Sequence, residues 1–142
     1  DKIVKIEGTK EHQFGYRHSC YMENDYIILN ATFLLKKEDP ASIQARMKEY
    51  MDSRCAKQPL EYPSAGSVFK RPEGYFAGKL IEDCGLKGLS VGGAAVSEKH
   101  AGFIINRGGA TAADILELEK KIKDAVYEKF GVKLEREVRI IG

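Results

Sequence analysis

The alternation of apolar and polar positions predicts one strand and one helix in the first part of the chain. Residues 26–35 are almost continuously apolar and rich in Ile, Leu and Phe, which predicts a strand covered on both faces. Asp39 and Pro40 then give the capping and first-position signals of a helix. The apolar residues that follow lie at helical spacing, at Ile43, Met47, Tyr50 and Met51. The helix should end near Cys55.

The middle of the chain predicts a boundary, a loop and a short helix. Residues 57–72 contain three of the four prolines, together with Ser64, Gly66 and Ser67, which indicates a domain boundary followed by an ordered loop. A short helix should follow and stop at Gly85. Its apolar face would consist of Ala77, Leu80, Ile81 and Cys84.

Three further segments predict strands. Residues 88–96 are apolar and rich in glycine, and Phe103 to Asn106 form a second apolar segment. Residues 132–141 predict a final strand. Because side chains alternate along a strand, one of its sides should carry Glu135, Glu137, Arg139 and Ile141.

A long helix is predicted before that final strand. Thr111 and Asp114 resemble a capping box, with Asp in the usual place of Glu. The helix should run to about Phe130 and be closed by Gly131. Its inward face would consist of Ile115, Leu118, Ile122 and Val126.

Strands and helices alternate without a strictly parallel pattern, which is typical of an α+β fold. We expect residues 59–142 to form a complete small domain with a small mixed sheet and packed helices. Residues 1–58 would then be the end of another domain. The chain has 142 residues, 43% of them hydrophobic and 31% charged, which suffices for a globular core without disulfide or metal staples.

Charge and composition argue against several classes of protein. The net charge is only +2 with both signs interspersed, so no basic face for nucleic acid is expected. No run approaches the ~20 apolar residues of a membrane span. The three cysteines match no zinc or redox spacing, and we expect free thiols packed in the core of a cytoplasmic protein. No metal site is expected, because the histidines are not spaced as ligands on one helix face.

The loop at residues 63–72 is the first stretch that could carry chemistry. Gly66 lets the backbone come close to a ligand, and Ser67 places a hydroxyl beside it. A hydroxyl can give a proton to a very basic carbon centre. The alternative is an ordinary turn in which the serine bonds to its own backbone.

Three other stretches could bind an anionic ligand. Glu137 and Arg139 would lie about 7 Å apart on one side of the final strand, an arrangement that suits an anion needing an oriented acidic group. Arg17, beside small and aromatic residues, suits bidentate recognition of a carboxylate or phosphate. His100 precedes an apolar strand and could face a pocket. The alternatives are a solvated charge pair, a surface arginine and a strand cap.

Taken together, these stretches resemble the UDP-N-acetylenolpyruvoylglucosamine reductase family. The resemblance runs in the family's order over residues 14–142 and includes the family's serine loop. The matching stretches are Tyr16-Arg17-His18-Ser19, the serine loop at residues 57–72, and residues 76–82, 92–97, 99–103 and 136–142.

The resemblance implies a mechanism. In this family NADPH reduces a bound FAD, and the reduced flavin passes hydride to the enolpyruvyl ether of UDP-N-acetylglucosamine enolpyruvate, giving UDP-N-acetylmuramate for peptidoglycan. By motif position, Ser67 matches the proton donor. Arg17 and Glu137 match the residues that hold the substrate carboxylate and stabilise the enolate-like intermediate. Further pocket positions are matched by Lys57, Arg71, Lys79, His100 and Arg139.

The chain also departs from the family's pattern in two places. Only residues 36–39 join the predicted strand to Pro40, as in the subgroup without a tyrosine-bearing loop. The family's N-terminal FAD-binding lobe has no counterpart here, so residues 26–35 should expose apolar faces if their neighbours are absent. We therefore expect a C-terminal portion, inactive alone. The alternatives are a non-catalytic UDP-sugar-binding module and another FAD-linked oxidoreductase of the same two-lobe plan.

Overall fold

The structure, a computed structural model, describes residues 2–141, apart from the side chain of Thr9. Asp1 and Gly142, the last residue of the closing motif, lie outside the described residues. The chain divides into two compact units, Asp1–Glu38 and Asp39–Gly142.

The first unit contains little regular structure. Helix α1, Gly8–His12, is followed by a 3₁₀-helix at Cys20–Met22. The strand predicted at residues 26–35 does not form, because a strand needs a neighbour to pair its backbone groups and none pairs with it in the described part of the chain. Its side chains are exposed, as expected for an unpartnered apolar segment: Phe33 is 78% and Leu35 82% exposed.

The second unit begins with helix α2, Pro40–Lys57, as its capping signals predict. The Asp39 carboxylate accepts the Ser42 N–H at 2.9 Å, and Pro40 occupies the first turn, where its missing N–H costs nothing. The helix ends two residues beyond Cys55. No residue of α2 is buried, so its apolar face points to solvent.

The rest of the second unit is a four-stranded sheet with two helices. Strands β1 (Ser64–Ser67), β2 (Ser90–Val91), β3 (Ala94–Val96) and β4 (Phe103–Asn106) form a sheet in the order β1-β4-β3-β2. The α+β class is confirmed, but every pairing is antiparallel where a mixed sheet was expected. The segment at residues 88–96 forms two strands instead of one, because it turns at its glycine pair.

The glycine pair at this turn is required for steric reasons. Gly92 has a φ of +52°, in the left-handed region that favours glycine. A Cβ on Gly93 would lie 2.3 Å from the Gly108 carbonyl oxygen, so the hairpin packs backbone against backbone. The Asp114 carboxylate accepts the Thr111 N–H at 2.8 Å. Backbone and side-chain hydrogen bonds from Thr111, with a backbone hydrogen bond from Gly93, lower the pKa of Asp114.

The core lies between the sheet and the two remaining helices, α3 (Ala77–Asp83) and α4 (Ala112–Phe130). The predicted capping box opens α4, and Gly131 closes it in the left-handed conformation. The predicted inward face of α4 is confirmed, with Ile115 partly buried and Leu118, Ile122 and Val126 fully buried. Ala77, Leu80 and Ile81 of α3 are also buried, and Gly85 follows that helix as predicted.

The final strand predicted at residues 132–141 is reduced to a single bridge, Phe69 to Arg136. Lys70 N–H donates to Glu135 O at 2.9 Å, and Glu137 N–H donates to Val68 O at 2.8 Å. Toward residues 132–134 the pairing stops because Pro72 has no N–H to continue a ladder. Toward residues 138–141 it stops because the Val68 N–H donates to Gly102 O instead. The even alternation expected of Glu135 through Ile141 therefore does not hold over the whole segment.

The cysteines only partly follow expectation. All three are free; Cys20 is buried and Cys84 partly buried, but Cys55 is exposed near the end of α2, so the prediction of core packing was wrong for it. Burial raises the pKa of the Cys84 thiol. Among residues 2–141 no helix has the length and apolar character needed to cross a membrane.

Candidate active site

Ser67 ends the edge strand β1, where it is paired with Phe103 of β4. The next residue is also hydrogen-bonded to the segment before β4, since Val68 N–H donates to Gly102 O at 2.9 Å. The Ser67 hydroxyl lies 3.4 Å from Phe69 O, which is long for a hydroxyl hydrogen bond. Gly66, beside it, has a φ of +85° and open space where a Cβ would stand. An exposed hydroxyl therefore lies next to bare backbone, an arrangement that admits a ligand.

Glu137, in the C-terminal segment, lies next to the end of β1 that carries Ser67. Its N–H donates to the carbonyl of Val68, the residue that follows Ser67. The residue is half-buried, and its carboxylate oxygen Oε2 is shielded from solvent. The hydroxyl of Ser67 and the carboxylate of Glu137, which are far apart in the sequence, thus lie on neighbouring backbone segments.

His100 lies on the other side of Ser67. Its Nδ1 accepts the Gly102 N–H at 3.0 Å, which places the hydrogen of a neutral ring on Nε2 and makes that nitrogen a donor. The ring packs edge-on against Phe103, with centroids 4.9 Å apart. A Cβ on Gly102 would lie 3.0 Å from His100 Cε1 and 3.5 Å from Ser67 Oγ, so both side chains border the same small space.

Two of the predicted cations are held by contacts within their own stretches. The Arg71 guanidinium lies 4.0 Å from the centre of the Phe76 ring, and its Nε donates to Tyr75 O at 3.3 Å. Lys79 Nζ lies 2.6 Å from Asp83 Oδ1, and this hydrogen bond raises the pKa of Lys79. Lys79 also follows Gly78, whose backbone packs against the His100 ring.

Lys57 and Arg139 are exposed at the ends of their segments. Lys57 is the last residue of α2. The end of that helix is tied to the loop bearing His100, because Lys99 Nζ donates to Cys55 O at 3.3 Å and to Glu61 Oε2 at 3.0 Å. A backbone hydrogen bond and the Lys99 ammonium lower the pKa of Glu61. Arg139 lies two residues after Glu137.

Arg17 belongs to the first unit. It occupies a two-residue turn closed by paired hydrogen bonds between Gly15 and His18, of 3.0 and 3.3 Å. Its φ of +53° is in the left-handed region, and its guanidinium lies 5.4 Å from the centre of the Tyr16 ring. The turn fixes the backbone of the arginine that the sequence singled out.

One group of residues near the site was missed from the sequence. Glu119 of α4 is 2% exposed and pairs with Arg136, which precedes Glu137, and with Lys123. The signal was present, because Glu119 falls on the same helical face as Ile115 and Ile122. A carboxylate on an inward-facing stripe requires a partner, but the sequence alone does not show that this partner is Arg136.

The chain is similar to known proteins of one family. The family model for the UDP-N-acetylenolpyruvoylglucosamine reductase C-terminal domain matches residues 58–141. A UDP-N-acetylenolpyruvoylglucosamine reductase of Clostridium novyi is 57% identical over 141 residues, which cover 99% of this chain and 46% of that protein. The same reductase of Pediococcus pentosaceus is 55% identical over 142 residues, which cover 100% of this chain and 47% of that protein.

A solved structure shows the same fold. The crystal structure of UDP-N-acetylenolpyruvylglucosamine reductase (MurB) from Thermus caldophilus matches with a TM-score of 0.58 and 42% identity. The match covers 72% of this chain and 36% of that one. The chain spans about half the length of the curated relatives it matches. On the family model and the identity to these relatives, the chain belongs to the UDP-N-acetylenolpyruvoylglucosamine reductase family.

Proposed function

We propose that the chain carries the substrate-binding and proton-donating half of a cytoplasmic reductase that uses FAD and NADPH. The reductase would convert UDP-N-acetylglucosamine enolpyruvate to UDP-N-acetylmuramate for peptidoglycan synthesis. The observation that carries the proposal is the exposed Ser67 hydroxyl beside the Glu137 segment, joined through the hydrogen bond from Glu137 N–H to Val68 O. Because the relatives are about twice as long, the flavin-binding half would come from sequence that this chain does not span.

The surroundings of Ser67 fit the reacting end of a flavin. The backbone at Gly66 has open space on the side where a Cβ would stand, so a flat ring can approach the serine there. The sequence has no G-x-G-x-x-G loop after a strand to cradle the flavin diphosphate, and we assign that cradle to the other half of the reductase. When bound, FAD reduced by NADPH supplies the hydride.

Ser67 acts on the carbon next to the one that receives hydride. That carbon becomes carbanion-like, and a hydroxyl, although a weak acid, is acidic enough to protonate it. A C–H bond forms, the Ser67 O–H bond breaks, and the exposed serine regains its proton from solvent. Glu137 and Arg17 would hold the substrate carboxylate and stabilise the charge that develops beside it.

The basic residues of the site suit the rest of the substrate. A nucleotide diphosphate that also carries a carboxylate is strongly anionic, and preorganised cations bind such groups with directional hydrogen bonds. We assign this role to the exposed cations and the imidazole already described, namely Lys57, Arg71, Lys79, His100 and Arg139. Arg71 and Lys79 are already oriented by Phe76 and Asp83, which lowers the entropy lost on binding.

The decisive experiment uses the complete reductase, with both halves present. Ser67→Ala should lower turnover of the enolpyruvyl substrate by about 10²–10⁴-fold, the range of a lost general acid. Reduction of the flavin by NADPH should be unchanged, because that step needs no proton from Ser67. Ser64→Ala is the matched control on the same strand, since its hydroxyl only accepts the Gly66 N–H at 3.4 Å.

Normal turnover in the Ser67→Ala enzyme would refute the assigned role. Binding of the UDP-sugar without any NADPH oxidation by the unsubstituted complete protein would instead favour a non-catalytic nucleotide-sugar module. Separate measurement of flavin reduction and of substrate turnover by stopped flow distinguishes these results.

A further inference from the structure

A buried ion cluster lies behind the candidate active site. Glu119 of α4 is 2% exposed, and each of its carboxylate oxygens meets a cation. Oε1 lies 2.5 Å from Lys123 Nζ, an ion contact without hydrogen-bond geometry. Oε2 accepts a hydrogen bond from Arg136 Nε at 2.6 Å. A buried carboxylate is tolerated only when it is paired in this way, so the position of Arg136 is tightly restricted.

Arg136 belongs to the segment that bears Glu137, which is attached to the rest of the unit by backbone, apolar and charged contacts. It pairs with the residues that follow β1 through the single bridge from Phe69 to Arg136. Leu134 is buried in the core and Val132 and Val138 pack against it, whereas Ile140 and Ile141 are exposed. The ion pair from Lys70 to Glu135 is 3.2 Å long and largely solvent-exposed, so it contributes little. The Arg136–Glu119 pair differs from that exposed pair, because it ties the segment to α4 through a buried carboxylate.

We propose that Arg136, held by Glu119, is a positioning residue that fixes Glu137 beside the Ser67 loop. The described contacts of Arg136 are with Glu119 and Phe69, so it acts on Glu137 through the adjacent backbone. With Arg136 fixed on α4, the Glu137 N–H meets Val68 O at 2.8 Å, one residue from Ser67. Glu137 lies on a segment without regular secondary structure, so contacts from neighbouring residues are needed to keep its carboxylate in a fixed position.

The inference can be tested on the full chain by hydrogen exchange at single amides. Glu119→Gln should raise exchange at the Glu137 N–H by about tenfold or more, through local opening of this segment. Amides in the middle of α4, such as Ile122, should keep their protection. Lys70→Gln is the control, because it removes an ion pair at the next position of the same bridge without touching Glu119.

A second variant separates position from stability. In the double variant Glu119→Gln with Arg136→Met, no buried charge is left unpaired, so global stability should be largely retained. We expect the Glu137 amide still to exchange fast. Restored protection of Glu137 in this variant, or equal loss of protection at Glu137 and Ile122 in both variants, would show that the cluster serves only stability and would overturn the inference.

The catalytic consequence rests on the proposed function. In the complete reductase, Glu119→Gln should lower kcat by roughly 10²-fold, the cost of a small misplacement of a working group, with a much smaller change in KM. Faster exchange at Glu137 with unchanged kcat would support the positioning role and count against a catalytic role for Glu137. Unchanged exchange would overturn the positioning role whatever the turnover.

Discussion

The turn between β2 and β3 should tolerate no side chain at Gly93. A Cβ there would lie 2.3 Å from Gly108 O and 2.5 Å from Ala110 N. Ordinary contacts of carbon with other heavy atoms begin at roughly 3.5 Å, so the turn and the loop before α4 would have to separate by about 1 Å. Both partners are backbone, so no rotamer change can relieve the overlap. The Arg107 N–H bond to Gly93 O, 2.9 Å long, would stretch with that movement.

The expected cost of Gly93→Ala follows from these two effects. Overpacking of a fitted site costs about 1–3 kcal/mol, and a strained or lost hydrogen bond adds about 0.5–1.5 kcal/mol. The free energy of unfolding should therefore fall by about 2–4 kcal/mol, which lowers the melting temperature by roughly 10–30 °C in a unit of this size.

Urea unfolding followed by far-ultraviolet circular dichroism measures this difference. Gly131→Ala is the matched control, because Gly131 has a φ of +67° and open space around its missing Cβ. It should lose only the roughly 1–2 kcal/mol of left-handed backbone strain. A Gly93→Ala chain that unfolds within about 1 kcal/mol of the unsubstituted one would refute the steric reasoning, since that is less than the smallest overpacking cost.

Two further substitutions test the packing of the core and the dependence of the free energy of unfolding on acidic pH. Leu118→Ala, at a fully buried position of α4, should cost about 2–5 kcal/mol in thermal unfolding, and a loss under 1 kcal/mol would mean that the helix does not face the core. The pKa of Asp114 is lowered from its ordinary value of 3.8, so its contribution is fully present above that pH and is lost as pH falls through the lower folded-state pKa. Asp114→Asn should make unfolding less pH-dependent in that acidic range, and an unchanged slope in urea titrations would contradict the assigned hydrogen bonds.

Local signals in the sequence predicted the three helices of the second unit, whereas α1 was not predicted. Asp39 with Pro40, and Thr111 with Asp114, mark the starts of α2 and α4, and Gly131 marks the end of α4. These signals succeed because a helix satisfies its hydrogen bonds within its own segment, so its ends are decided by the few residues that cap it. The motif residues Ser67 and Glu137 were also singled out from the sequence, and the structure places them on adjacent segments.

The strand predictions failed where strand formation depends on a neighbouring backbone segment. Residues 26–35 are as apolar as any strand but have no neighbour to pair with in the described chain. Residues 132–141 pair only at Arg136, because the neighbouring backbone offers no further N–H. Pro72 lacks one, and that of Val68 donates to Gly102 O. Apolar alternation shows that a segment could be a strand, but it carries no information on whether another backbone is available.

The sequence alone determined the capped helices, the inward face of α4 and the motifs that resemble the reductase family. Tertiary structure alone decided the antiparallel strand order, the exposure of α2 and the pairing of Glu119 with Arg136. The reason is physical: helix hydrogen bonds and caps connect residues a few positions apart. Sheet pairing and the neutralisation of a buried charge join residues far apart along the chain, so they exist only once the chain has folded.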